Sequence, residues 1–322
     1  FGKTKLPDFC LGQAADTRNP HHLDHTPGGS SSGSAAAVAA GMTPVAIGSQ
    51  TVGSVIRPAS FCGIIGFKPT RGLISRAGVQ PLSETLDQIG VFGRNIEDIA
   101  LVSEVLIGAD EGDPLTRGVL PRQLLTISQQ EPPFPPKFVC MRTPFWDQMD
   151  LDAQEAFNAL VQALGDQAVI IELPEISKVA VDRLRTIVDA EFASVMSEHL
   201  THASEAVSER VREIVTRGGS IKAVDYLKAK EGIEPAIAGF DEFFDRFDAI
   251  LTPASLGSAP KGLESTGDAI MNALWSYTGM PAITLPLLQS ADGLPIGIQL
   301  VGASHDDARL LRSANWLLKN FD

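Results

Sequence analysis

Cysteine is scarce: Cys10, Cys62 and Cys140 are the three in 322 residues, far apart and without a C-x-x-C pair. That spacing argues against a disulfide framework or a cysteine zinc site and points to a reducing compartment, the cytoplasm. Basic charge is also short, 26 Lys+Arg against 39 Asp+Glu for a formal charge of −13, with no basic run. A nucleic-acid partner is therefore not expected, since neutralising phosphates needs a basic face. No uninterrupted apolar run reaches the length of a membrane span, and residues 1–5 lack the apolar core of a signal peptide, so no membrane association is expected. An initiator methionine is missing too, and the opening at Phe1 reads as mid-strand, so an N-terminally incomplete chain is expected. What is present is apolar content, 44% against 20% charged, enough for a buried core and too much for wholesale disorder.

Residues 8–29, rich in Asp, Asn, His, Pro and Gly, read as an exposed loop. From Ser34 the run Ser-Ala-Ala-Ala-Val-Ala-Ala-Gly-Met is apolar on every side, which predicts a buried helix capped by Ser34 and ended by Gly41. Residues 44–47 read as a short buried strand delivering the chain into the small-residue loop 48–54. Helices are expected over 95–107, with Asn95 as cap, and over 153–164, and strands over 168–173, 249–251, 282–287 and 296–301. Ser304 is expected to cap a last amphipathic helix to Leu318, with Asp307 in its first turn. The six prolines of 113–137 mark a linker or a surface wrap, and 176–247 reads as a peripheral helical layer. Strands separated by helices predict an α/β sheet covered by helices on both faces, here as a single domain over 1–322.

Two small-residue loops carry the chemistry. Gly28-Gly29-Ser30-Ser31-Ser32-Gly33-Ser34 precedes the first helix and reads either as a capped helix start or as an anion site at a helix N-terminus. It lacks the lysine of a nucleotide P-loop. Gly29-Ser30-Ser31-Ser32-Gly33 formally matches the nucleophile elbow G-x-S-x-G, with His305 late in the chain, but the elbow must follow a strand and this one follows a polar loop. The second loop, ending at Ser54, does follow a strand. Main-chain N–H groups of Thr51, Val52, Gly53 and Ser54 are candidates to converge on a developing oxyanion, and Ser54 needs a base to become a nucleophile.

Together the loops resemble the amidase signature family: Pro-Gly-Gly-Ser-Ser-Ser-Gly-Ser-Ala at 27–35, Gly-Ser-Gln-Thr-Val-Gly-Ser-Val-Ile-Arg-Pro-Ala-Ser-Phe-Cys-Gly at 48–63 and Gly-Phe-Lys-Pro-Thr at 66–70. The likeness continues through Leu86-Asp87, Gly93-Arg94, Leu251-Thr252-Pro253 and Gly297-Ile298-Gln299-Leu300-Val301-Gly302. The resemblance implies a mixed β-sheet covered by helices and a Ser-Ser-Lys triad with Ser54 as nucleophile. Ser30 would be the bridging serine, typically after a cis peptide. It further implies hydrolysis of a small carboxamide, no metal and no organic cofactor, with a homodimer allowed. Gly29 and Arg57 are candidate substrate contacts; Arg57 would either grip a substrate carboxylate or form a structural ion pair.

The pattern is broken in two places. The family's catalytic lysine lies upstream of the serine loops, on a segment expected to be absent from this chain; Lys3 and Lys5 fall after that segment, and Lys68 belongs to a structural turn. Val52 stands where glycine usually precedes Gly53, and would be strained if φ were positive there. Asp87 and Arg94 are expected to brace the core, and His21, His22 and His25 to be exposed rather than zinc ligands. Two rival readings remain from the sequence: a glutaminase subunit passing ammonia to a partner, and an impaired amidase-like scaffold.

Overall fold

A computed structural model describes residues 16–173, 177–203 and 208–321; Lys3, Lys5 and Cys10 lie outside the described residues. Eight strands form one sheet in the order β1-β3-β2-β7-β8-β6-β4-β5. They are β1 Val45–Gln50, β2 Ile65–Lys68, β3 Gln88–Gly93, β4 Phe138–Arg142, β5 Ala168–Glu172, β6 Ala249–Pro253, β7 Ala282–Gln289 and β8 Pro295–Val301. β4 runs parallel to β5 and β6, and the other pairs are antiparallel, which makes the sheet mixed.

Period-two alternation sends neighbouring residues of a strand to opposite faces. In β4, Phe138 and Cys140 join the core built with α3 (Ile96–Leu106), α4 (Leu124–Ser128), α5 (Leu151–Leu164) and α11 (Asp307–Phe321). Val139 and Met141 join the opposite core, built with α6 (Ser177–Ala203), α8 (Ala223–Glu231), α9 (Ile233–Asp241) and α10 (Ile270–Thr278). Helices thus cover both faces, as the α/β pattern predicted. The expected helical layer consists of α6, α7 (Glu209–Gly219), α8 and α9.

Several local expectations need correction. β1 runs on to Gln50 rather than stopping at Ile47, because it pairs along its length with β3, Gln50 opposite Gln88. It is an edge strand with Ile47 exposed, not a buried one. The first helix, α1, spans Ser32–Ala39, so Ser34 lies inside it; its hydroxyl donates to the Ile47 carbonyl at 2.9 Å instead of capping. The last helix begins at Asp307, three residues after Ser304. The 113–137 stretch wraps over the surface: Leu124 is buried in the core and the Ser128 carbonyl accepts from Asn315 at 2.9 Å. β2, β3 and β4 were not foreseen. Glycine masks the first two, yet a side chain at Gly66 would come within 2.6 Å of Ala59 Cβ and one at Gly90 within 2.6 Å of the Phe67 carbonyl.

Candidate active site

β1 ends at Gln50, whose side chain organises everything after it. Its Oε1 accepts from the N–H groups of Val55 (2.9 Å) and Ile56 (3.0 Å), turning the chain into α2 (Ile56–Phe61). Its Nε2 donates to Ser276 Oγ at 2.9 Å, and Ser276 Oγ donates to the Val52 carbonyl at 2.6 Å. Thr51 is held from another side, its hydroxyl donating to Asp87 Oδ1 at 2.6 Å, while Asp87 Oδ2 accepts from the N–H groups of Leu82 and Ser83 at 2.7 and 3.0 Å. Burial raises the Asp87 carboxyl above its ordinary range, and the Thr51 hydroxyl works against that rise. Gly53 lies directly on α10: a Cβ there would sit 2.8 Å from Ala269 Cβ and strike Asn272 Oδ1. Val52 is not in the left-handed region, since among described non-glycine residues His305 alone has positive φ (67°). The strain anticipated for a β-branched residue is therefore not realised. Ser54, 8% exposed, stands at the end of this braced loop.

The other serine segment is fastened onto the same structure. Gly28 has φ 79°, and a side chain on it would come within 2.8 Å of Pro58 Cα in α2, so close approach and backbone hand both require glycine. The Gly29–Ser30 peptide is cis, the geometry expected of the bridging serine. Ser32 Oγ donates to the Gly28 carbonyl at 2.6 Å, Ser31 Oγ lies 3.3 Å from the Ser49 carbonyl, and Cys62 Sγ donates to the Pro27 carbonyl at 3.3 Å. Arg57 completes the attachment. It is 6% exposed and donates from Nη2 to the Gly29 carbonyl at 2.6 Å and from Nη1 to the Gly267 carbonyl. Of the uses foreseen for Arg57, these contacts to main-chain carbonyls are of the bracing kind, and Gly29 meets it through its carbonyl.

Lys68 is fully buried and committed to structure. Its ammonium donates to Met280 O at 2.6 Å, Gln88 Oε1 at 2.7 Å and Pro69 O at 3.4 Å. Burial pushes it down to about 7, against the opposing pull of Asp307. Through Gln88, the strand partner of Gln50, it supports the serine loop from behind. Asp307 accepts from Thr70 N and Oγ1 at 2.8 and 2.7 Å. Arg94 donates to the carbonyls of Val38 and Thr43, closing the end of α1. His21 bonds the Cys62 carbonyl through Nε2 at 2.9 Å. Among the described residues no group of three or more His, Cys, Asp or Glu is placed to hold a metal ion, and no helix is long and apolar enough to cross a membrane.

Among the described residues, cavities open on two sides of the second loop, and neither of these has Ser30 or Ser54 in its lining. One of about 440 Å³ opens beside Ser49 and Thr51, between Arg76, Asp87, Leu82 and Phe192. The other, about 180 Å³, lies on the Val52 side against α6 and α10. The helical layer is pinned to the loop's support by Glu191 of α6, which accepts from Ser83 Oγ, from Thr85 N (3.0 Å) and Oγ1 (2.5 Å) and from Tyr226 OH (2.6 Å). Burial opposes its charge, but these hydrogen bonds outweigh it and hold the carboxyl below its ordinary range. A depressed pKa contributes stability that is present above the ordinary value of 4.5 and lost as pH falls through the folded one. Glu191→Gln is expected to lower unfolding stability at pH 7 by about 1–3 kcal/mol in urea melts. The gap from wild type should close as the pH is lowered below 4.5.

Ser276, Asn272 and Glu191 were not foreseen. Ser276 and Asn272 had a signal, being polar within the largely apolar run Ile270–Ser276; Glu191 had none within a charged helical run.

A family model described as Amidase matches residues 1–311. A glutamyl-tRNA(Gln) amidotransferase subunit of Picosynechococcus sp. is 33% identical over 98% of this chain and 73% of its own length. The solved glutamyl-tRNA(Gln) amidotransferase subunit from Thermotoga maritima superposes with a TM-score of 0.79 at 31% identity, covering 97% of this chain and 71% of that one. A 6-aminohexanoate cyclic dimer hydrolase superposes with a TM-score of 0.82 at 25% identity, over 94% of this chain and 70% of its own.

Proposed function

The chain belongs to the amidase family, whose members cleave carbon–nitrogen bonds, and from that premise we propose that it hydrolyses a small carboxamide through an acyl-Ser54 intermediate. In this reading Ser54 Oγ attacks the amide carbon while its proton passes by way of Ser30 to a base. The oxyanion is met by main-chain N–H groups of residues 51–54; those of Val55 and Ile56 are already taken by Gln50. The carbon–nitrogen bond breaks as the nitrogen is protonated, ammonia or an amine leaves, and water releases the carboxylate and restores Ser54. Lys68 is not that base, because its ammonium is sealed among acceptors. The family's lysine remains the expected one. A reducing cytoplasm suits the two buried free thiols, Cys62 and Cys140.

The observation that carries the proposal is the fastening of the Gly29–Ser30 segment onto the strand and helix that bracket Ser54. An alkyl fluorophosphonate added to the protein together with the upstream segment that supplies the family's lysine is expected to modify Ser54, located by peptide mass spectrometry, and small amides to release ammonia. An unmodified Ser54 together with no ammonia from any amide would sink the reading. A second reading, a glutaminase-type subunit, is favoured by the names of the relatives at 30–34% identity. Ammonia release from glutamine in preference to simple amides would select it.

A further inference from the structure

An oxyanion donor is most effective when its N–H is fixed in direction before charge develops. The loop before Ser54 is fixed by α10, which carries two polar residues four apart, Asn272 and Ser276, on one face. Asn272 is held by donating from Nδ2 to the Ala254 carbonyl at 2.9 Å and to Gln299 Oε1 at 3.3 Å. Gly53 rests against Asn272 so closely that no side chain fits between them, which sets where residue 53 sits. Ser276 sets which way the preceding peptide faces. Its Oγ donates to the Val52 carbonyl at 2.6 Å. The Val52–Gly53 peptide is trans, so the Gly53 N–H points the opposite way, away from the Ser276 hydroxyl. Gly53 is buried, and among the described residues no group accepts from that N–H.

The direction of the Ser276 proton is itself set. Gln50 Oε1 accepts from the main-chain N–H groups of Val55 and Ile56, which only donate, so the amide presents Nε2 to Ser276 Oγ, 2.9 Å away. A hydroxyl carries one proton: receiving from Gln50, Ser276 keeps its own for Val52. Both side chains are buried. Resting on the hydrolase reading, we propose that Ser276 is a positioning residue. By holding the Val52 carbonyl it aims the Gly53 N–H at the oxyanion formed when Ser54 attacks, and Gln50 fixes the direction of its hydrogen bond.

The test uses the protein together with the upstream segment that supplies the family's lysine, as wild type, Ser276→Ala, Ser276→Thr and Gln50→Glu. It measures kcat and KM on a panel of neutral and carboxylate-bearing amides, and binding of phenylboronic acid. Ser54 Oγ adds an electron pair to the boron and gives up its proton by way of Ser30, and the tetrahedral boronate anion puts an oxygen where the oxyanion would stand. Ser276→Ala is expected to lower kcat about 10- to 100-fold on every amide, short of the roughly 100- to 1,000-fold for outright loss of an oxyanion donor. Boronate binding should weaken by a similar factor while KM stays within about threefold, the pattern of an interaction made only in the transition state. Gln50→Glu should match it, because the carboxylate still accepts from Val55 and Ile56 but draws the Ser276 proton away from Val52. Ser276→Thr keeps the hydroxyl and should recover most of both losses. Should Ser276→Ala not fold, Gln50→Glu carries the same comparison. A merely structural part would lower the urea midpoint and leave kcat and boronate affinity of the folded variant within about threefold of wild type, and that result overturns the proposal. Boronate binding that weakens as expected without ammonia from any amide upholds the aimed donor and overturns the hydrolase reading instead. Neither turnover nor boronate binding in wild type overturns both.

Discussion

In the protein that includes the lysine-bearing upstream segment, Ser54→Ala is expected to lower kcat on any amide it hydrolyses by about 10,000-fold or more, with fluorophosphonate labelling lost at the same time. The serine has no substitute in position: Thr51 is bonded to Asp87, and Ser276 is spent between Gln50 and the Val52 carbonyl. Ser30→Ala should cost less, about 100- to 10,000-fold, as for loss of one proton-transfer partner. A circular dichroism spectrum and melting curve of the variant, taken alongside, separate lost proton transfer from lost fold. Rates measured under saturating substrate, with burst kinetics to separate acylation from deacylation, decide the matter. Ser54→Ala activity within tenfold of wild type would remove Ser54 from the chemistry.

How far the sequence revealed the structure depended on whether a side chain's role was local. Apolar strands such as β6, β7 and β8 announced themselves because each is a dense run of core residues. β2 and β3 did not, since their glycines are selected by what lies across from them, Ala59 and Phe67, at distances no local pattern encodes. β4 was hidden directly behind the Pro-Pro-Phe-Pro-Pro run that reads as a linker. The helix-start error at Ser34 has the same origin: a serine directly before an alanine run reads as a cap, but an acceptor at Ile47 on the neighbouring strand claims its hydroxyl.

At the site, the motifs located the two loops and the cis peptide. They could not say that Gln50 grips the start of α2 and Ser276 together, because Ser276 is 226 residues away. Val52 illustrates the opposite limit. Its unusual identity was visible, and the strain feared for it depended on a dihedral angle that only the folded loop determines.

Arg57→Met should reduce kcat by about 100-fold or more across all amides, because a displacement near 1 Å at a positioned group has that effect. The guanidinium is the donor to the Gly29 carbonyl, in the peptide that leads into Ser30, and to the Gly267 carbonyl on the facing loop. Methionine keeps much of the bulk and removes these donors, leaving both carbonyls to find other partners in a buried corner. A loss of about 2–4 kcal/mol in urea unfolding is expected from hydrogen bonds made by a charged donor. Arg57→Lys should recover part of the stability and less of the rate, since one ammonium does not reproduce a planar two-pronged donor. The substrate panel separates the two roles open to this residue. A uniform fall in kcat, with KM nearly constant, marks Arg57 as a positioning residue for the Ser30 segment. A fall confined to carboxylate-bearing amides, with neutral amides turning over as in wild type, would show instead that the guanidinium leaves Gly29 to meet the substrate.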